Sequence, residues 1–369
     1  MFRKIVNFEI RYRLKQPATY ICFVLLFGIS FIFAAIPDIS FSDTDDTLLR
    51  NAPVVINKLM LVIMIFGSVI CAAVMGVSFF RDYNNKFYDI ISSLPVTKKN
   101  YLWGKFTGSF IVVTLIFTGI VFGMMLGYIM PWREKELLGP FHPSSYFNPF
   151  IYFIVPNLFI LGSIFFITGS FFRSKTVVYL QGVIFLIIYL VSGMLIYGRG
   201  QNELHSLFDP LGLESISEMT GPWSVTEKNS ALIDLKGITL YNRIIWLVTS
   251  GLAIILFNWL FDPAKTRSVT SFKQWIFKNA IYKKLISLSF GFSAANNNLK
   301  NRLPEWQHFT NFNFRIIARS TPFLILIVCV IGLIVMTRIN NTMLYSSDSL
   351  PVMNKLFYTF RGILIFFLQ

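Results

Sequence analysis

Cysteine and histidine are both scarce, three of each in 369 residues, and the scarcity removes whole classes of chemistry. Cys22, Cys71 and Cys329 fall in separate apolar runs, too few and too scattered for a disulfide framework or a sulfur-rich metal site. His142, His205 and His308 are far apart, and none sits in an H-E-x-x-H helix. No G-x-x-x-x-G-K-[ST] stretch occurs, so the chain does not bind ATP by a phosphate loop. The run GKFTG at Gly104 lacks the preceding glycine and enters an apolar segment. Acids are also few, 18 against 33 Lys and Arg. Asp43, Asp45 and Asp46 lie together, but such a group reads more readily as a solvated loop than as a cation site. The residues call for no catalytic group, cofactor or metal.

What fills the chain instead is apolar surface. Hydrophobic residues make up 54% and aromatics 17%, with 40 phenylalanines, while charged residues are only 14%. Soluble domains do not carry such a composition. A hydrocarbon core of about 30 Å needs about 20 apolar residues as helix. Runs at 18–37, 55–80, 106–130, 150–172, 177–197, 243–261 and 320–338 qualify, with a last one from 356. They are continuous rather than alternating, which favours helices over a barrel. The fold class expected is all-α, a polytopic helical membrane protein. The first run is too long for a signal-peptide core and no clear cleavage site follows it.

Charge sets the expected orientation. With a cytoplasmic N-terminus, segments 1–17, 81–105, 173–176 and 262–319 hold two-thirds of the 33 Lys and Arg. Arg3, Lys4, Arg11, Arg13 and Lys15 precede the first span, and Arg81, Lys86, Lys98, Lys99 and Lys105 lie in the opening loop, close to span ends where the positive-inside rule acts. The net charge of +15 therefore reads as topology beside a lipid bilayer, not as nucleic-acid binding. In residues 1–17, Lys4, Asn7, Arg11 and Lys15 form one polar stripe at helical spacing, leaving Phe2, Ile5, Val6 and Ile10 to an interface. An interfacial cytoplasmic helix turning at Pro17 is expected.

No Asp or Glu falls near a span centre, whereas ion-coupled transporters usually bury acids or histidines there. Pro156 with Asn157, Gln181, Asn258 and Arg361 remain, and read as kinks or helix–helix hydrogen bonds. Energy for any transport must then come from a partner.

An internal repeat orders the domains. Asn7 to Arg11 (NFEIR) recurs at Asn311 to Arg315 (NFNFR), and Pro53 to Leu59 (PVVINKL) at Pro351 to Leu356 (PVMNKL), both about 300 residues later. Residues 18–261 form a six-span unit with an outer segment at 198–242, and 262–319 a cytoplasmic linker with amphipathic helices. Residues 320–369 then read as the start of a second unit. Leu356 to Gln369 reaches only about 21 Å as helix, so a fragment of a longer chain is expected.

The stretch RDYNNKFYDIISSLPVTKKNYLWGK, Arg81 to Lys105, resembles the coupling segment of type-2 ABC transporter permeases. It has an acid after the second span (Asp82), a short amphipathic helix containing Asp89, a break at Leu94–Pro95, then Lys98, Lys99, Tyr101 and Lys105 entering the third span. The resemblance implies that Asp89 to Leu94 press into a cleft of a separate ATP-binding subunit, with Lys98 and Lys99 flanking. Residues 208–247 are similar to the outer segment of bacterial permeases that carry two six-span units and a C-terminal zinc aminopeptidase domain. Asp209, Pro210, Gly212, Trp223, Glu227, Lys228, Asn229, Asn242 and Arg243 carry that likeness, and Gly221–Pro222 departs from it. The peptidase would lie beyond Gln369. Together these imply the non-enzymatic permease of an ABC exporter in a bacterial inner membrane, paired with a second unit in the same chain or in a homodimer. The alternative is a membrane anchor for an attached peptidase, without transport.

Overall fold

A computed structural model describes residues 1–35, 48–85, 96–131, 138–172, 175–197 and 203–261. Among them every regular element is helical, as the composition predicts. The helices are α1 (Phe2–Leu14), α2 (Pro17–Ala35), α3 (Pro53–Asn84), α4 (Lys98–Ile129), α5 (Ser144–Pro149), α6 (Val155–Phe172) and α7 (Lys175–Tyr197). Three short helices follow, α8 (Glu203–Phe208), α9 (Leu213–Thr220) and α10 (Val225–Ser230), then α11 (Gly237–Leu260). Among the described residues, five stretches are long and apolar enough to cross a membrane: Pro17–Ala35, Pro53–Ser78, Lys98–Ile129, Ser144–Phe172 and Gly237–Leu260. A shorter apolar helix, Val177–Ser192, lies where the fifth span is expected. The runs at 320–338 and from 356, the linker, the second copies of the repeat, Asp43, Asp45, Asp46, His308, Cys329 and Arg361 lie outside the described residues.

The boundaries follow from the chain's own chemistry. Proline begins both α2 and α3, the position where its missing N–H costs nothing and its fixed φ suits a helix. The corner between α1 and α2 is pinned by Thr19, whose hydroxyl donates to the Arg13 carbonyl at 2.7 Å. Ser144 to Phe172 runs through a π-helical turn at Phe150–Ile154, between Pro149 and Pro156. Each proline removes a backbone donor from the helical ladder, and a π turn is one way to absorb the mismatch.

Helix α4 packs along both α1 and α2. Its Gly119, Gly123 and Gly127 recur every fourth residue and face Phe23, Phe27 and Phe31 of α2. A Cβ on Gly119 would stand 2.9 Å from the Phe23 carbonyl oxygen, and one on Gly127 would stand 2.8 Å from that of Phe31. Small residues at this spacing let two backbones meet, the usual basis of association where lipid removes the hydrophobic drive. Gly123→Leu is expected to force the helices apart, at about 1–3 kcal/mol, seen as a lower thermal midpoint in detergent. A normal midpoint would mean that α2 shifts freely on α4. Toward the start of α4, Phe106 meets Phe159 and Phe166 edge-on at 5.7 and 5.5 Å, a favoured aromatic geometry that ties α4 to α6.

The face of α1 differs from the expectation. Ile5 and Val6 meet the bundle instead of an interface: Ile5 lies against Gly104 and Glu9 against Gly108, both in α4, and Val6, Glu9 and Arg13 are buried. The helix is laid along the first turns of α4, with its Lys4, Asn7, Arg11 face turned outward.

Candidate functional site

The end of the bundle from which the α3–α4 loop emerges holds a buried ionic cluster. Helical spacing builds it. Glu9 and Arg13 are one turn apart on α1, Ser78 and Asp82 one turn apart on α3, and Tyr101 and Lys105 one turn apart on α4, so each helix offers a pair on one face. The Glu9 carboxylate is fully buried and accepts from three cations: Arg13 Nε at 2.7 Å, Arg81 Nη2 at 2.8 Å and Lys105 Nζ at 2.9 Å. Lys105 also reaches Asp82 Oδ2 at 2.5 Å. Asp82 takes Arg81 Nε at 3.4 Å and the Tyr101 hydroxyl at 2.8 Å. Arg13 Nη2 donates to the Val74 carbonyl at 2.8 Å and to Ser78 Oγ at 2.7 Å, and Ser78 in turn meets the Ser109 hydroxyl. The Arg81 guanidinium sits 4.0 Å from the centre of the Tyr12 ring. Two carboxylates and three cations thus lock α1, α3 and α4 to one another.

Burial by itself would push the Glu9 carboxyl up. Lys105, Arg13 and Arg81 outweigh it and hold the group down, from 4.5 to about 2. A carboxylate depressed in the folded state adds stability that is present above its ordinary range and lost as pH falls through its folded value. The shift corresponds to about 3 kcal/mol. Thermal stability in detergent is therefore expected to hold from pH 8 to about 5 and to fall between about 4.5 and 2, with a flatter acid limb in Glu9→Gln. Equal acid limbs in the two proteins would mean that Glu9 is not held by its cations.

Of the residues singled out from the sequence, Arg81, Asp82, Tyr101 and Lys105 come together here. Lys98 and Lys99 do not; they occupy the first turn of α4, after the Thr97 cap whose side chain accepts from the Asn100 N–H at 3.4 Å. Cations at a helix N-terminus oppose its dipole, so helix stability does not account for that pair. Asp89, Leu94 and Pro95 lie outside the described residues. Glu9 and Arg13 were absent from the sequence-based set, although Glu9 is the sole acid before Asp38 and stands four residues from Arg13.

A second buried polar centre fastens the segment between α7 and α11. Arg243 donates from Nη1 to Asn157 Oδ1 at 2.5 Å and from Nη2 to Asn242 Oδ1 at 2.6 Å and the Pro210 carbonyl at 3.4 Å. Asn242 Nδ2 donates to the carbonyls of Ser206 and Asp209 at 2.6 and 2.9 Å, and Asn157 Nδ2 to that of Leu211 at 3.0 Å. The Asp209 carboxylate accepts from the N–H groups of Leu211 and Glu214, both at 2.9 Å. Gly212 has φ +81°, and a Cβ there would collide with the Arg243 guanidinium. Farther along, Ser224 and Glu227 form a reciprocal cap at the start of α10, and Asn229 accepts from the Leu49 N–H at 2.9 Å. Among the described residues, the hydrogen bonds of this centre join parts of the fold, which gives Asn157, Asn242 and Arg243 a fastening role.

A bundle of apolar helices bound at one end by buried ions defines a polytopic helical membrane protein. The chain belongs to the ABC-2 family transporter proteins, whose family model matches residues 3–339. It is accordingly a membrane-spanning permease component of an ABC transporter, a family that works with an ATP-binding subunit and is not typically catalytic. No curated protein matches the chain.

Proposed function

We propose that the chain is the membrane permease of an exporter-type ABC system and that a separate ATP-binding subunit drives it through the loop between α3 and α4. The observation that supports this reading is the ionic cluster at the root of that loop. Arg81 and Asp82 at its entry and Tyr101 and Lys105 at its exit are tied to each other and to Glu9 of α1. Displacement of the loop would then move α1, α3 and α4 together, instead of being absorbed at a flexible hinge. Asp89 to Leu94 form the docking element, with Lys98 and Lys99 at its rim, and the spans respond by alternating access or lateral opening.

In this reading the N-terminus and the α3–α4 loop are cytoplasmic, as the Lys and Arg distribution favours, and the membrane is a bacterial inner membrane. The repeat of Asn7–Arg11 at Asn311–Arg315 supports a second permease unit in the same chain, a homodimer being the other arrangement. The residues around Asp209 and Arg243 support kinship with permeases fused to a zinc aminopeptidase. The test is a photo-crosslinking residue at position 94 in the full-length permease, co-expressed with its ATP-binding subunit. A conjugate with that subunit is expected. Conjugates confined to lipid or to the permease itself would overturn the coupling role and favour an anchor without transport.

A further inference from the structure

The outward face of α1 is taken up neither by the ionic cluster nor by the proposed coupling. Lys4, Asn7, Phe8, Arg11, Tyr12 and Lys15, all on this one helix or its C-cap, line a shallow, open groove along its outward side. Lys4, Asn7, Phe8, Arg11 and Lys15 are exposed, and no ion pair among the described residues uses Lys4, Arg11 or Lys15. The one acid of α1, Glu9, points the other way and is fully committed to Arg13, Arg81 and Lys105. The groove therefore offers three cations and no carboxylate of its own. An aromatic pair runs along it, exposed Phe8 stacked on half-buried Tyr12 with ring centres 6.2 Å apart, and the Arg81 guanidinium sits over the Tyr12 ring.

Helix geometry fixes the reach of the cations. Arg11 and Lys15 lie one turn apart, about 6 Å along the axis, and Lys4 about 10 Å from Arg11 on the same side. Membrane-crossing α2 begins at Pro17, immediately after this stripe, so the groove lies next to the bilayer surface. We infer that it holds the headgroup of an anionic phospholipid, with Arg11 and Lys15 on the phosphate, Lys4 and Asn7 on the remainder of the headgroup, and Phe8 and Tyr12 against the glycerol and upper acyl chains. Charge complementarity beside apolar rings is the chemistry that recognises such a lipid. A soluble anion would use the cations and leave the rings idle. This inference does not depend on the coupling role proposed for the α3–α4 loop.

The test uses the purified full chain, delipidated in neutral detergent and then offered phosphatidylglycerol, phosphatidylcholine or inorganic phosphate, with bound lipid counted by mass spectrometry and the thermal midpoint followed. Retention and a raised midpoint are expected with phosphatidylglycerol alone. R11Q/K15Q is expected to bind it about 30-fold less, two cations at about 1 kcal/mol each, with its lipid-free midpoint unchanged. Arg3→Gln, which removes an exposed cation outside the groove, is expected to bind as the parent does. R11K/K15R, which preserves the charges, is expected to restore binding even if R11Q/K15Q folds poorly. Equal binding of phosphatidylcholine, or an equal effect of inorganic phosphate, would overturn the inference. So would loss on Arg3→Gln as large as on R11Q/K15Q, which would reduce the effect to bulk charge. A groove that takes no lipid but becomes protected when the ATP-binding subunit is added would be a protein-docking surface, and this too would overturn it.

Discussion

Glu9→Gln is expected to cost about 3–5 kcal/mol, the scale for removing one partner of a buried ion pair. The substitution keeps the shape of the side chain and removes the charge on which Arg13, Arg81 and Lys105 converge. Arg81 and Lys105 keep Asp82. Arg13 has no second carboxylate among the described residues and is left with the Val74 carbonyl and the Ser78 hydroxyl. The thermal midpoint in detergent should fall on the order of 10 °C. Adding Arg13→Met should recover part of that loss, because an uncompensated buried cation costs more than an apolar pair of similar volume. If Glu9→Gln were neutral, or if the double substitution were as poor as the sum of the singles, the pairing would not be what holds α1 to the bundle.

The sequence exposed some parts of this architecture and hid others for physical reasons. Span positions are readable because lipid imposes a long apolar run on every crossing helix, and Pro17 marks the turn into the first of them; Pro53, read only as part of the repeat, also begins a helix. The third apolar run begins at residue 106 in the sequence, whereas α4 already begins at Lys98, because Lys98, Lys99 and Lys105 carry no apolar signal. Lys105 is helical and nearly fully buried, its charge met by two acids that the sequence keeps far away. Glu9 was missed for the same reason: its cross-helix partners lie 72 and 96 residues on, and spacing within α1 reveals only Arg13. Asn157 was readable as a helix-packing residue, yet its link to Arg243 across 86 residues is visible only in the fold. The π turn at Phe150–Ile154 had a signal in Pro149 and Pro156, but prolines announce a disturbance without specifying its form.

The coupling claim is tested most directly by comparing two substitutions in the α3–α4 loop. A docking helix transmits force only if it is firmly seated, and seating comes from an apolar anchor in a pocket, while rim charges mostly alter encounter. Leu94→Asp puts a charge where the anchor should be and is expected to cost about 2–4 kcal/mol of docking, a loss of about 30-fold or more in affinity. Lys98→Ala should cost under about 1 kcal/mol. The measurement is co-purification of the ATP-binding subunit with each full-length variant, with ATP turnover of what is recovered. Loss of the subunit and of coupled turnover in Leu94→Asp, with near-normal values in Lys98→Ala, is the result expected. Full association in Leu94→Asp with loss in Lys98→Ala would contradict it, and would make the loop an electrostatic anchor.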